Sequence, residues 1–416
     1  MRRRRWAAVA ASAVVLASAA FLAAPSHAGE RGTAWVTVWA QSQERLAGRQ
    51  LANQSVRMIA HLSQGGHAVR FRVQNTFGTE PLRIDRATVG VSAGGAEVVD
   101  PRPATFAGNS AVPIPPGGDV WSDPVRLTTR PDSDIAISLH VSGTAVPGQH
   151  NSAFRENYLS PAGSGDVTSE RSGSSYTEKT TSTYFVSAVD VQNPKLRGTI
   201  VPFGSSVVDG TGSTDCGPGC TELGTNRRWT DELARRIVRE APATRQYAVA
   251  NAGVAGTTSS AACPSIPGGA RGLDALARLE RDVLELHGVS AVIYYYGTND
   301  LAFGCTDEQI LDSYREVFRR LRVAGVKVYV TPITPRASYT EQQNRYRHEV
   351  GTFVKRWNNC TDTCDGVLDF DQVLKDPVQP NQLNPAYDSD GIHANIAGQK
   401  AIADFISIPL ITGGGR

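Results

Sequence analysis

The stretch Gly198–Ser206, with the sequence GTIVPFGSS, decides how the second half of the chain is interpreted. An apolar run breaks here into a Gly-Ser-Ser turn, which is typical of a buried strand that ends at a tight turn. Further apolar strands then alternate with stretches of helical spacing. The predicted strands are 198–203, 247–252, 291–296, 327–331 and 367–370, and the predicted helices are 230–240, 273–286, 308–323, 341–357 and 395–406. This alternation predicts an α/β fold of three layers, with helices on both faces of a parallel sheet.

The first half of the chain has a different pattern. Apolar and polar residues alternate in 34–39, 67–73 and 134–141, turn residues separate these runs, and no long helical pattern precedes Tyr184. Period-two alternation gives each strand one buried face and predicts a β-sandwich or jelly roll. The polar stretch 160–182 is either a long loop or part of a passage between domains. We therefore predict a β-sandwich domain at 29–195 and an α/β domain at 196–416.

The chain begins with a segment typical of protein export. Four arginines follow Met1, an Ala-rich apolar run extends from Trp6 to Ala24, and Ser-His-Ala ends at Ala28. This order predicts a secretory signal at residues 1–28, cleaved after Ala28, and hence a secreted protein. A membrane anchor is the alternative, but the Ala-rich composition and the small residues at the end favour cleavage, so we expect no stable membrane insertion afterwards.

Charge adds little evidence for a polyanionic partner. The whole chain carries 42 basic and 40 acidic residues, and the predicted signal accounts for four of the arginines. The remaining 38 basic and 40 acidic residues leave a formal balance of about −2. Outside the predicted signal, no polybasic face argues for nucleic acid or anionic membrane, so we expect no nucleic-acid partner.

The six cysteines all lie in the second half of the chain. An exported protein normally oxidises an even set of cysteines, so we expect three disulfides. Six cysteines allow fifteen pairings. Spacing favours Cys216 with Cys220 and Cys360 with Cys364, which leaves Cys263 for Cys305. A zinc site is the alternative, but the Cys-x-x-Cys pairs and nearby histidines that it needs are missing from the sequence, and we expect no metal.

Ser206 and the segment Asp390–His393 contain the candidate catalytic groups. Ser206 follows the strand 198–203 directly, where small residues allow a tight turn. In Asp390–His393 an acid and a base lie three residues apart, so the carboxylate can orient the imidazole that activates a serine. Gly-Ser clusters are more often ordinary turns, and Asp390 is alternatively a cap of the last helix. The turn is also not the Gly-x-Ser-x-Gly elbow of the α/β-hydrolases.

Two further turns contain candidate donors for an oxyanion. Gly253 follows the strand 247–252, and a backbone amide there is able to point at a developing negative charge. Asn299 follows the strand 291–296, and its side-chain amide is a second candidate donor. The alternatives are a flexible turn at Gly253 and a local backbone cap at Asn299.

Taken in order, four segments resemble the four conserved blocks of the SGNH (GDSL-type) hydrolase superfamily. They are Gly204-Ser205-Ser206, Gly253, Gly297-Thr298-Asn299-Asp300 and Asp390-Gly391-Ile392-His393. The resemblance implies Ser206 as nucleophile, His393 as general base and acid, Asp390 as its orienting acid, and an oxyanion hole from the Ser206 and Gly253 amides with the Asn299 side chain. It covers residues 197–408, and the stretches Gly65–Gly78 and Pro81–Ile84 also resemble the N-terminal sandwich of secreted bacterial members.

One residue departs from the family pattern. The first block of the family usually contains Gly-Asp-Ser, and Ser205 replaces the aspartate here. That aspartate is not the family's triad acid, so the substitution affects the nucleophile turn and its local charge.

We expect a secreted, cofactor-free esterase or lipase, active as a monomer on an acyl lipid, an acylated carbohydrate or a polyester. The alternatives are acyl transfer to an alcohol by the same residues, and a module that binds glycan or cell-wall polymer through a degenerate site.

Overall fold

A computed structural model describes residues 35–413, so the predicted signal at 1–28 lies outside the described residues. All described residues belong to one compact unit. The strands of the first half are β1 (Trp35–Ala40), β2 (Arg45–Leu46), β3 (Leu51–Leu62), β4 (Val69–Gln74), β5 (Leu82–Ile84), β6 (Arg86–Gly94), β7 (Glu97–Ala104), β8 (Val112–Ile114), β9 (Asp119–Trp121), β10 (Ser133–Ala145), β11 (Gly148–His150), β12 (Asn157–Leu159), β13 (Glu178–Thr180), β14 (Thr183–Tyr184) and β15 (Val186–Gln192).

These strands build an antiparallel sandwich, as the alternating pattern predicts. One sheet has the order β13-β12-β3-β10-β6-β7 and the other has the order β1-β15-β4-β9, with two smaller sheets, β14-β11-β2 and β5-β8, beside them. The inner faces of the two larger sheets share one apolar core, which includes Val56, Met58, Ile137, Leu139, Phe71, Val73, Val189 and Val191. The polar stretch 160–182 is mainly a loop, and its Tyr176 packs against the outer face of the larger sheet.

The second half forms the predicted parallel sheet. Its strands are β16 (Thr199–Gly204), β17 (Ala248–Val249), β18 (Ala252–Gly253), β19 (Val289–Tyr295), β20 (Lys327–Val330) and β21 (Gly366–Val367). They lie in the order β17-β16-β19-β20-β21, and β18 extends the pairing of β17 along β16. This is a doubly wound order, whose crevice opens beyond the carboxyl ends of the strands at the point where the winding reverses, between β16 and β19.

Helices cover both faces of this sheet. They are α1 (Ser206–Asp209), α2 (Trp229–Glu240), α3 (Ala275–Leu279), α4 (Thr298–Ala302), α5 (Asp307–Val323), α6 (Glu341–Lys355), α7 (Phe370–Leu374), α8 (Ile396–Phe405) and α9 (Ile408–Ile411), with short 3-10 turns at Ala243–Arg245, Gly268–Ala270 and Arg356–Asn358. The helix predicted at 273–286 differs from the observed one, because α3 is short and continues as a π-helix at Glu280–Leu284. Buried Asp282 of the π-helix forms ion pairs with Arg278 of α3 and with Arg281.

The sandwich and the parallel sheet are in direct contact. Ala248 of β17 belongs to the sandwich core, and Ala40 and Ala188 of the sandwich belong to the core on one face of the parallel sheet. The Thr37 amide also donates to His287 O at 3.0 Å. The boundary predicted at 195/196 falls between β15 and β16, and a division there into two independent domains stays a prediction.

The three predicted disulfides are all present. Cys216 is bonded to Cys220, Cys263 to Cys305, and Cys360 to Cys364. The first and last pairs close short loops, whereas Cys263–Cys305 joins the segment after β18 to the segment after α4. Only this middle pair therefore crosslinks two loops at the carboxyl edge of the sheet.

Candidate active site

Ser206 lies at the turn where β16 becomes α1. Gly204 is required just before it, because a Cβ at this position would lie 2.2 Å from Tyr295 O on the neighbouring strand. Gly210 ends the helix in the left-handed region, at φ 105°, and its amide donates to Ser206 O. As the first residue of a helix, Ser206 has a backbone N–H that the helix itself does not use. The turn thus presents both the hydroxyl and the amide of Ser206 at the end of the strand.

The structure brings His393 and Asp390 to this serine. His393 Nε2 lies 2.8 Å from Ser206 Oγ, and His393 Nδ1 lies 2.7 Å from Asp390 Oδ2. The Ser206 side chain is almost buried and the His393 side chain is 12% exposed, whereas Asp390 is half exposed. A hydroxyl, an imidazole and a carboxylate therefore form one chain of hydrogen bonds, the arrangement that transfers a proton away from a serine nucleophile.

Asp390 is held by its own loop. Its Oδ1 accepts the backbone amides of Ile392 and His393 at 3.0 and 2.9 Å, which leaves Oδ2 for the imidazole. Partial burial alone would raise the pKa of Asp390, but these hydrogen bonds and the contact with His393 lower it below its usual value. Asn395, and not Asp390, caps the last long helix, since its side chain accepts the Gly398 amide. The alternative role of Asp390 as a helix cap is therefore wrong.

Asn299 lies on α4, directly after β19. Gly297 starts this helix with φ 108°, and Asn299 is 8% exposed. The Asn299 Nδ2 donates to Thr257 O at 2.9 Å, so the amide bridges two loops at the sheet edge instead of capping its own turn. A carboxamide nitrogen carries two hydrogens, and this contact uses one of them.

Gly253 packs closely against the helix that carries Ser206. A Cβ there would lie 2.1 Å from Asp209 N, so a glycine is needed for β18 to pass α1. Its amide donates to Asn251 Oδ1 at 2.8 Å. Further along the same turn, Gly256 has φ +79° and a backbone amide with no acceptor among residues 35–413. The sequence signal for this second glycine is the Ala-Gly-Thr turn that follows Gly253 by two residues.

The Asp300 carboxylate joins two segments at the same edge of the sheet, a role that the sequence did not predict. Its carboxylate accepts the Ser259 and Ser260 amides at 3.0 and 2.8 Å, which joins α4 to the loop after β18. Burial raises the pKa of Asp300 to about 6, against the opposing effect of these amides. Cys263 and Cys305 lie beside it, but their sulfur atoms are bonded to each other and are not thiolates able to bind a metal.

Ser205 is buried and makes no hydrogen bond with the triad. It is 1% exposed, and within the described part of the chain its hydroxyl has no hydrogen-bond partner. The imidazole of His393 contacts Ser206 instead. Of the two adjacent serines, the imidazole thus contacts the one that the resemblance implies as nucleophile.

Comparisons with known proteins identify a family for the second half of the chain. Residues 203–401 match the profile of the GDSL-like lipase/acylhydrolase family. No curated protein matches the chain.

Three similar solved structures illustrate the range of fold relatives. The aryl esterase of M. smegmatis is 19% identical, covers 50% of this chain and 94% of its own, and has a TM-score of 0.38. Est24, a carbohydrate acetylesterase from Sinorhizobium meliloti, is 18% identical, covers 49% and 94%, and has a TM-score of 0.36. A lipolytic protein of the G-D-S-L family from Desulfitobacterium hafniense is 18% identical, covers 50% and 96%, and has a TM-score of 0.36.

The matched residues begin at the end of β16 and include Ser206, Asn299, Asp390 and His393. Residues 203–401 are therefore a domain of the GDSL-like lipase/acylhydrolase family, and the protein is a carboxylic-ester hydrolase.

Proposed function

We propose that this protein is a secreted serine esterase that works through an acyl-enzyme. The observation that carries the proposal is the 2.8 Å contact between His393 Nε2 and Ser206 Oγ, with Asp390 on the opposite ring nitrogen. His393 takes the proton as Ser206 Oγ attacks the ester carbonyl, and it returns that proton to the leaving alcohol. Water, deprotonated by the same imidazole, then releases the acid. Asp390 orients the ring and stabilises its charged form.

The oxyanion formed in each step needs hydrogen-bond donors. We propose the Ser206 amide and the second hydrogen of Asn299 Nδ2, because neither has an acceptor of its own among the described residues. Gly253 is the third donor that the sequence predicts, and its amide becomes available only when Asn251 Oδ1 turns away. The Gly256 amide already has no acceptor within residues 35–413 and is our alternative for the third donor.

Export and substrate class are part of the same proposal. Three disulfides favour an oxidising compartment, in agreement with the predicted signal at 1–28. Among the described residues, no helix has the length and apolar character to cross a bilayer. We propose a monomer that acts on an acyl lipid, an acylated carbohydrate or a polyester.

A serine-directed fluorophosphonate tests the proposal directly. We expect it to modify the purified protein once per chain, and peptide mass spectrometry should place the label on Ser206. A protein that stays unlabelled while remaining folded would instead be the binding module. A candidate alcohol added to an aryl-ester assay separates the two reactions, since hydrolysis gives only free acid, whereas acyl transfer gives a new ester.

A further inference from the structure

A histidine of the sandwich reaches the helix that carries Ser206. His150 lies on β11 and is 1% exposed. Its Nε2 lies 3.0 Å from Asp209 Oδ1, and its Nδ1 lies 2.9 Å from Ser42 O. A carbonyl oxygen and a carboxylate both accept hydrogen bonds, so both ring nitrogens act as donors here. This arrangement pairs an imidazolium with the Asp209 carboxylate inside the protein.

The surrounding charges agree with a charged imidazole. Burial alone would lower the pKa of His150, but Asp209 and Glu44 together raise it above its ordinary value. Glu44 is itself buried, and burial raises its pKa although His150, Arg45 and Arg278 oppose this effect. His150 is thus the cation that faces two carboxylates.

Asp209 is the last residue of α1, three positions after Ser206. A helix of one turn has little stability of its own, so its position depends on contacts from outside. Val207 and Val208 of this helix pack in the apolar core, whereas Asp209 borders a cavity of about 40 Å³ between the sandwich and the parallel sheet, together with His150 and Arg228. On this side the Asp209 side chain is held by a polar contact, which His150 makes.

Arg228 makes a second contact of the same kind. Its Nε donates to Asp209 O at 2.6 Å, and its Nη2 donates to Ala153 O of the sandwich at 3.0 Å. His150 and Arg228 therefore link the end of α1 to the first half of the chain, whereas Trp229 and Asn251 of the second half donate to the Val207 and Val208 carbonyl oxygens. Residues of the sandwich therefore help to position Ser206.

We propose that His150 is a positioning residue for Ser206, which it holds in line with His393 through its bond to Asp209. The proposal rests on the proposed function of Ser206 as nucleophile. It assigns the sandwich a role in catalysis itself, separate from any role in binding substrate. His150 touches no reacting atom, and its effect passes through the four residues of α1.

The informative variant removes both halves of the pair, as His150→Phe with Asp209→Ala. Deleting both partners leaves neither as an unpaired buried charge, and Glu44 keeps its ion pair with Arg45 at 3.3 Å, so this double variant is expected to fold. We expect kcat to fall about 10- to 100-fold with KM within about twofold, since a shift of about 1 Å in a reacting group costs on that order. Either single variant alone should lose at least as much kcat as the double variant.

Two matched variants separate positioning from general loss of the interface. His150→Gln keeps a donor for Asp209 and should restore most of kcat. His61→Gln removes another histidine of the sandwich, one that binds Asp132 and Asp134 and not α1, and should leave kcat unchanged. Fluorophosphonate titration counts competent Ser206 in every preparation, so kcat is expressed per folded site even where a variant folds poorly.

The outcomes distinguish this inference from the proposed function. If Ser206 is labelled in the unmodified protein and the double variant has unchanged kcat per labelled serine, His150 is a structural residue only and the proposal fails. An equal loss of kcat in His61→Gln would also overturn it. If the unmodified protein does not label at Ser206, the proposed function itself is wrong.

Discussion

His393 Nε2 lies 2.8 Å from Ser206 Oγ, although 187 positions separate the two residues. The parallel sheet presents the serine at the end of β16, and the loop before α8 returns to the same edge with the imidazole. Asp390 holds the ring from the other side at 2.7 Å. The roles of these residues and of their neighbours can be tested by substitution.

Ser206→Ala should lower kcat for a short-chain aryl ester by at least about 10³-fold, because the nucleophile is lost. Ser205→Ala is the matched control. The Ser205 hydroxyl is buried and has no hydrogen-bond partner in the part of the chain that the structure describes, so its removal should leave kcat within a few-fold and stability unchanged or slightly higher. Steady-state kinetics and thermal unfolding of both variants check this. The reverse result would assign the nucleophile to Ser205.

Asp390→Asn should lower kcat by about 10³- to 10⁴-fold, since an amide no longer stabilises the imidazolium or its correct tautomer. Asp388→Asn, in the same loop, removes a carboxylate that binds the Asp390 and Gly391 amides but not His393. We expect Asp388→Asn to lower kcat less than about tenfold, because it only weakens the hydrogen bonds that hold the loop. Equal losses in the two variants would argue that Asp390 serves only the loop.

Asn299→Ala should lower kcat by about 10²- to 10³-fold with a smaller change in KM, the effect of removing one oxyanion donor. Gln343→Ala provides the control, because Gln343 Nε2 donates to Leu301 O of the same helix at 2.8 Å and lies outside the proposed site. If both variants lose activity in parallel with their unfolding midpoints, Asn299 supports the fold of α4 and not the oxyanion.

Because of His61, the free energy of unfolding should decrease as the pH becomes alkaline. Burial opposes its charge, but hydrogen bonds with Asp132 and Asp134 raise the pKa of His61 to about 9. A pKa raised on folding stabilises the protein fully below the ordinary value of about 6.5, and this stabilisation is lost as pH rises through about 9. It amounts to about 3 kcal/mol at most.

Urea unfolding of the unmodified protein and of His61→Gln checks this expectation at pH 6, 8 and 10. The difference in unfolding free energy should be largest at pH 6 and should shrink towards pH 10. A difference that is constant with pH would show that His61 acts through shape alone.

Loss of the Cys263–Cys305 disulfide should destabilise the protein more than loss of Cys360–Cys364. The sequence separations are 42 and 4, and loop closure entropy predicts about 4 kcal/mol for the longer loop and about 2 kcal/mol for the shorter. Denaturant unfolding of two variants, each with one of these cysteine pairs replaced by serines, measures which disulfide contributes more to the free energy of unfolding. The longer loop also contains Asn299, so its variant should lose kcat, whereas the shorter one should not. Equal kcat in the two variants would contradict a role of the Cys263–Cys305 disulfide in positioning Asn299.

Several features of the fold were predictable because they are local in the sequence. The alternation of β16, α2 and the following elements follows from apolar spacing, and the short cysteine spacings narrowed the disulfides to one set. The one-turn helices α1 and α4 were not predicted, since four or five residues are too few to show a helical period. The π-helix at Glu280–Leu284 was not predicted either, because the spacing of a few apolar residues does not distinguish it from an α-helix.

The sequence by itself determined the fold class, the candidate serine, the acid and base of Asp390–His393, and the candidate amide of Asn299, because each follows from residue type and short-range pattern. Only the tertiary structure decided that Ser206 and not Ser205 meets His393, that Asn251 occupies the Gly253 amide, and that His150 of the sandwich pairs with Asp209. These are contacts between segments distant in the chain. A periodic pattern records whether a side chain is buried, but not which distant group it will meet.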